Sequence, residues 1–284
     1  MGKRIKEKRN KKDEITEVTV DLGYEKEYQI ETPDDCGLSI GKVHGIGARS
    51  MQQDSFGISD LIEDIIQDKG VMAVLADGMG GLSDGERASM ATIISCLNYF
   101  DTHPMVESVQ EELVAMAENA NIEVKEVLGG SRGTSGSTLI AVVVKERQLF
   151  WVSVGDSRIF LYRDGELTQL SKDHNYAADL QERVEAGEIT EEEALSDPQR
   201  NALTSYIGID YLDKIDCCDG PLELFEGDRI LLTSDGVYNT LTTEEITDLM
   251  QFSVGKTMMH IGMQIEAKRK KNQDNYTAIL LEIV

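Results

Sequence analysis

Apolar residues fall into two kinds of run along this chain. Short stretches at 71–75, 138–144, 149–154, 158–163, 229–233 and 276–284 are rich in β-branched, aromatic and aliphatic residues, and they predict strands. Several carry apolar side chains toward both faces. Both faces must then be covered, which places these strands inside a layered structure. Longer stretches repeat with the helical period. Residues 86–100 put Met90, Ile93, Ile94, Leu97 and Phe100 on one stripe, and residues 106–128 do the same with Val109, Leu113, Met116, Ala120, Val124 and Val127. Nearer the C-terminus Thr242 with Glu245 reads as a capping box opening a short helix, and 257–270 predicts another.

Two regions break this rhythm. Residues 1–35 are polar and charged and close on the turn-rich Thr32-Pro33-Asp34-Asp35, so they read as an extension preceding one domain over 36–284. Within the extension, 17–30 alternates enough to form an edge strand. Residues 172–220 have few large apolar side chains and many acids. They contain a helical run ending at Gly187, an N-cap at Thr190 with Glu193 three residues on, and then Asp197-Pro198. That composition predicts a mobile flap inserted over the core.

At 284 residues, 40% hydrophobic and 28% charged, the chain can bury a sizeable core. The formal net charge of −24 excludes a general nucleic-acid binder, whose phosphates would be repelled across most of the surface, and favours cations as partners. Charge is uneven: residues 1–12 hold seven Lys/Arg and only Glu7 as an acid, so the remainder carries −30. The plain interpretation of that basic start is a solvated tail, the sharper one a contact with an acidic partner. No apolar run of signal-peptide length follows it, position 6 is Lys6 where a myristoylation signal needs Ser or Thr, and no stretch of about 18 apolar residues occurs. Cys36, Cys96, Cys217 and Cys218 form neither a C-x-x-C pair nor a disulfide-dense framework, which fits a reducing compartment and a cytoplasmic protein.

The candidate chemistry lies in where aspartates fall. Asp77, Asp156 and Asp235 follow predicted strands in Leu75-Ala76-Asp77-Gly78, Val154-Gly155-Asp156-Ser157 and Thr233-Ser234-Asp235-Gly236; Asp274 opens the last strand, and Asp54 closes Arg49-Ser50-Met51-Gln52-Gln53-Asp54. Asp-Gly and Asp-Asn are turn dipeptides, which explains any one of these without chemistry. Five at strand ends in one domain converge in space. Two unit charges about 4 Å apart cost roughly 4 kcal/mol at an effective dielectric near 20, so such a cluster must be protonated or hold cations. All-oxygen ligands select Mg²⁺ or Mn²⁺. Four carboxylates balance two dications, and a fifth leaves room for a weaker third ion. Glycine at 78 lets the backbone approach an ion, with its carbonyl as a further ligand.

These pieces, taken in order, resemble the protein phosphatase 2C (metal-dependent, PPM) family in its bacterial form. The matching segments are Arg49 to Asp54, Ala76-Asp77-Gly78-Met79-Gly80-Gly81, Gly133-Thr134-Ser135-Gly136-Ser137-Thr138, Val154-Gly155-Asp156-Ser157-Arg158, Leu170-Ser171-Lys172-Asp173-His174, Thr233-Ser234-Asp235-Gly236-Val237 and Asp274-Asn275. The Gly187 to Ala194 run and Arg200-Asn201 look like that family's flap. The resemblance implies an α+β fold, an αββα sandwich of two antiparallel sheets flanked by helices. It implies paired Mn²⁺ or Mg²⁺ ions on Asp54, Asp77, the Gly78 carbonyl, Asp235 and Asp274, a third ion at Asp156, and Arg49 on the substrate phosphate. The implied reaction is hydrolysis of phosphoserine and phosphothreonine in proteins by water activated between the two ions, without a covalent phosphoenzyme. Phosphoproteins and a cognate Ser/Thr kinase are the implied partners.

Two positions depart from the family pattern. Gln52 stands where Asn is usual, and Met79 stands where eukaryotic relatives have a His proposed as acid for the leaving alkoxide; methionine has no proton to give. Among other polar residues, His174 reads as a loop anchor and Arg158 as half of a structural ion pair, while His44, His103 and His260 lack metal-ligand spacing. Gly255-Lys256-Thr257 resembles the end of a P-loop, but Met250 occupies the position of the required glycine. A non-catalytic phosphoprotein-binding module on the same fold would be favoured by loss of an acidic ligand or of Arg49, and none is lost.

Overall fold

A computed structural model describes residues 28–33, 36–80, 84–105, 108–129 and 135–284. Two antiparallel sheets face each other. The first runs β1 (Gln29–Ile30), β2 (Leu38–Gly45), β13 (Tyr276–Ile283), β12 (Arg229–Thr233), β8 (Arg158–Arg163), β9 (Glu166–Gln169). The second runs β10 (Asp216–Cys217), β7 (Gln148–Val154), β6 (Leu139–Lys145), β4 (Val71–Met79), β3 (Asp54–Ile58), with β11 (Leu222–Glu223) on β7 and β5 (Gly136–Ser137) on β4.

Strand alternation divides the apolar side chains into layers. Val71, Ala73 and Leu75 of β4 point between the sheets, where they meet Ile140 and Val142 of β6, Ile230 and Leu232 of β12, and Ile279 and Leu281 of β13. The alternate residues Met72, Val74 and Ala76 point outward to two long helices, α2 (Asp84–Thr102) and α3 (Val109–Leu128). On the other outer face, Leu231, Ala278 and Leu280 pack beneath α7 (Thr243–Leu249) and α8 (Val254–Ala267). The predicted αββα sandwich is therefore present. Smaller helices are α1 (Glu63–Lys69), α4 (Tyr176–Glu185), α5 (Glu191–Ser196) and α6 (Asp235–Tyr238).

The caps come from the sequence as expected: Thr242 with Glu245 and Thr190 with Glu193 both form reciprocal capping boxes. Other expectations need correction. On α2, Met90 and Ile94 are about half exposed, and the buried stripe is Ala88, Ser89, Thr92, Ile93, Ser95, Cys96 and Phe100. Small side chains face the sheet there because the helix lies close to it: a Cβ on Gly57 of β3 would press into Ile93 and Leu97. Val127 of α3 is likewise exposed. The last helix begins at Val254, not at 257, and Asp235 does not end a strand but opens α6. Gln29–Ile30 pairs with β2 at Gly41 and Ile40, so the sheet begins before residue 36. The basic start and the rest of the proposed edge strand lie outside the described residues, as do Gly81, Gly133 and Thr134.

The insertion at 172–220 carries α4 and α5 on its outer part, where Leu180 is the one fully buried helical side chain. Its return leg is tied down. Main-chain bonds join Tyr176 N–H to the Ala202 carbonyl (2.8 Å), Ala177 N–H to Arg200 (2.7 Å) and Ile207 to Ser137 in both directions (2.7 and 2.9 Å).

Candidate active site

Antiparallel register brings the acidic segments to one end of the sandwich. Asp54 and Asp77 are direct cross-strand partners at the start of β3 and the end of β4, so their side chains share a face. Thr233 pairs with both Arg158 and Ala278, which carries the segments beyond these strand ends, Asp235, Asp156 and Asp274, to the same rim. A cleft of ≈ 400 Å³ opens there, lined by Arg49, Asp77, Gly78, Asp156, Asp235 and Asp274 among others. Met79 and the flap residues Asn201, Ala202 and Leu203 also line it.

Asp54 is placed differently from the other four. It is buried behind the cleft rather than on its wall, with Oδ2 accepting from Ser234 Oγ and Thr277 Oγ1, each at 2.7 Å. Asp77 is fixed through its main chain: its N–H donates to Thr138 Oγ1 (2.8 Å), and its carbonyl accepts from Thr138 N–H (2.8 Å) and Ser137 Oγ (3.1 Å). The glycines here serve packing as well as approach. A Cβ on Gly78 would overlap the Gly85 carbonyl at the start of α2, and one on Gly236 would overlap the Asn275 carbonyl, so only glycine lets these segments close around the cleft.

The carboxyls resist ionisation. Burial, opposed by bonds from Thr277 and Ser234, leaves Asp54 raised to about 6. Burial and then the charges of Asp156, Asp274 and Asp54 push Asp235 up to about 7. Asp77 is raised well above the usual carboxylate range by burial and its neighbours Asp54 and Asp235, and Asp156 is raised by burial and Asp173. Only one of the five has a cationic partner in the protein among the described residues: Arg49 Nη2 lies 2.6 Å from Asp274 Oδ2. With Asp274 turned to Arg49 and Asp54 to two hydroxyls, no three acidic, His or Cys side chains among the described residues stand as a ready-made cage around one point.

Whether cations suit this site can be judged from its unsatisfied atoms. Among the described residues Asp54 Oδ1 and Asp235 Oδ1 are both buried without a hydrogen-bond partner, an arrangement costly enough to call for protonation or a bound cation. A set made of carboxylate and carbonyl oxygens fits hard dications. The residues present therefore fit the implied metal pair.

The supporting polar residues behave as expected. Arg158 grips Asp173 through Nη2 at 2.6 Å and Nε at 3.1 Å and stacks 3.8 Å above the Tyr238 ring. His174 Nδ1 accepts from Gly155 N–H (3.2 Å), anchoring the loop before Asp156. Sequence reasoning assigned no role to Ser234, Thr277, Thr138 or Asn275. Asn275 accepts from Gln53 N–H and donates to the Ile46 and Met51 carbonyls, so it holds the Arg49 loop against Asp274. Ser234 and Asn275 directly flank Asp235 and Asp274, and a short polar residue beside such an aspartate is the available signal for them; Thr138 and Thr277 reach the site through strand pairing and carry no local signal.

Two antiparallel sheets between helical layers, with acidic strand ends meeting at one rim, define the phosphatase αββα sandwich. The chain belongs to the protein phosphatase 2C family, whose sequence profile matches residues 41–270. It is 32% identical over 227 residues to the serine/threonine protein phosphatase PstP of Mycobacterium tuberculosis, an alignment covering 78% of this chain and 42% of the relative. The chain thus spans less than half of that relative's length. Among solved structures, the serine/threonine phosphatase of S. agalactiae superposes with a TM-score of 0.75 at 28% identity, covering 87% of this chain and all of the other. The catalytic domain of a PstP in complex with two manganese ions gives 0.69 at 28% identity, covering 87% and 98%.

Proposed function

We propose that this chain hydrolyses phosphoserine and phosphothreonine in proteins with the help of two divalent cations, manganese or magnesium. The observation that carries this reading is the meeting of Asp77, Asp235 and Asp274 with Arg49 in one cleft, two of whose associated carboxylates keep a buried oxygen without a partner. Asp54, Asp77, the Gly78 carbonyl, Asp235 and Asp274 would hold the pair, and Asp156 would take a weaker third ion. Bound there, the cations neutralise the carboxylates and supply Lewis-acid activation of a water.

The chain's own groups do the rest. Arg49 lines the cleft, is 53% exposed on its side chain and is held on one side by Asp274; a guanidinium can take two phosphate oxygens together. Asn201, Ala202 and Leu203 of the flap also line the cleft and would influence how a peptide enters. Met79 lines the cleft but has no proton to offer, so the leaving alkoxide takes its proton from water or from another group. Phosphorylated proteins are the substrates, and a Ser/Thr kinase that makes them is the natural counterpart. Four free cysteines, and the absence among the described residues of any helix long and apolar enough to cross a membrane, are consistent with a cytoplasmic setting. The binding-module alternative would need a missing acid or arginine, and all are in place.

The test is hydrolysis of para-nitrophenyl phosphate and of a phosphothreonine peptide with manganese, with and without chelator. Turnover that requires the metal and is lost in Asp77→Asn supports the reading; equal turnover in chelator overturns it.

A further inference from the structure

Behind the cleft, a chain of hydrogen bonds runs from the surface to Asp54. His44 sits on an exposed groove with Phe56, Met90 and Ile94, and its Nδ1 lies 2.9 Å from Thr277 Oγ1. Thr277 Oγ1 lies 2.7 Å from Asp54 Oδ2. Ser234 Oγ accepts the Thr277 N–H (2.9 Å) and donates to the same Asp54 oxygen (2.7 Å). Thr277 and Ser234 are fully buried.

Counting hydrogens fixes the direction of these bonds. A hydroxyl has one proton and two lone pairs. Ser234 oxygen already accepts an amide, so its proton is free to go to Asp54. Asp54 as a carboxylate has no proton to give, so Thr277 also donates to it and takes its own second bond from the Nδ1–H tautomer of His44. Two protons therefore converge on Oδ2, while Oδ1, buried beside Asp77, is left with no partner.

We infer that Thr277 and Ser234 are positioning residues for the cation site: by saturating one oxygen of Asp54 they lock the carboxylate's rotation and present the other oxygen toward Asp77. This rests on the metal-dependent reading of the cleft. The two hydroxyls touch neither substrate nor the cleft surface, so their effect reaches the reaction only through Asp54. Loss of such outer partners commonly weakens metal affinity about 10- to 100-fold.

Calorimetric titration of manganese into the full chain, without substrate, tests the inference, using Thr277→Val, Thr277→Ser, Ser234→Ala and, as reference, Asp235→Asn. Thr277→Val keeps the shape and removes the hydroxyl; it is expected to weaken manganese binding about tenfold or more. Ser234→Ala should do the same by a similar factor, and it keeps the test open should the valine variant fold poorly. Thr277→Ser restores the hydroxyl and should bind within about threefold of the unaltered chain, which a purely packing role for the Thr methyl would not produce. Unaltered affinity in both Thr277→Val and Ser234→Ala, alongside lost affinity in Asp235→Asn, overturns the positioning role while leaving the phosphatase reading intact. No manganese binding by the unaltered chain overturns both.

Discussion

The two ends of the sandwich treat their acids in opposite ways. At the end away from the cleft, Asp228 is buried and takes Arg163 Nε at 2.9 Å and Nη2 at 2.6 Å, with the Phe225 N–H at 2.7 Å as a third donor. Beside it Glu282 takes Nε and Nη2 of Arg229, itself a direct cross-strand partner. Each structural carboxylate there comes with its own guanidinium. At the cleft end, among the described residues, one of the five aspartates, Asp274, pairs with an arginine, two keep buried oxygens with no partner, and four are raised from the ordinary carboxylate range. The same strands, β8, β12 and β13, build both ends, so the difference is not a consequence of topology. Acids that stabilise the fold carry internal counter-charges, whereas on the proposed reading the cleft acids leave that place for bound cations.

Exchanging the effects of the two ends would break this contrast. Asp77→Asn and Asp235→Asn should lower metal-dependent hydrolysis by on the order of 10³-fold, while the metal-free melting temperature stays the same or rises, because a repelling charge has gone. Asp228→Asn should do the reverse. It leaves Arg163 short of its partner and costs about 3 kcal/mol by denaturant unfolding, at the low end for buried pairs because Arg163 is partly solvated, with hydrolysis per folded molecule unchanged. A stable Asp228→Asn, or an Asp235→Asn that unfolds, would remove the distinction.

Stability against pH sharpens it further. Asp54 and Asp235 titrate near 6 and near 7 in the folded chain and near 4 when unfolded. Between those values the folded state holds more protons, so the stability of metal-free protein falls as pH rises from about 4 to 7. Saturating manganese should abolish that fall, and Asp235→Asn should reduce it. Thermal melts in chelator and in manganese at pH 5.5, 6.5 and 7.5 measure this; a metal-free protein that gains stability across the range contradicts it. The smallest expected effect is at Arg49, where Ala should raise KM about tenfold with little change in kcat if the guanidinium holds substrate and transition state alike.

Much of this was legible in the chain. The runs at 71–75, 138–144 and 229–233 carry apolar residues on both faces because two sheets and two helical layers enclose them, and that pattern is local. Asp77, Asp156, Asp235 and Asp274 are legible because each follows or precedes a predicted strand, and Asp54 because it closes the segment that begins at Arg49. What could not be read was their division of labour. Asp54 and Asp77 look equivalent as strand-end acids and are direct cross-strand partners, yet Asp54 is buried while Asp77 lines the cleft, a difference set by neighbours far away in sequence such as Ser234 and Thr277. The α2 stripe failed for a related reason: Met90 and Ile94 have the right period, but the sheet's closeness selects Ala88, Ser89 and Thr92. The sequence points Arg49 to phosphate; that it rests on Asp274 follows from loop geometry set by Asn275.

Anomalous diffraction from crystals grown in manganese tests the contrast between the two ends most directly. Peaks within the cleft, in contact with Asp77, Asp235 and Asp274 and with none at Asp228 or Glu282, are the expected result. A cleft without manganese, with its carboxylates still turned to Arg49, Ser234 and Thr277, would contradict the proposal that these acids lack internal counter-charges in order to bind cations.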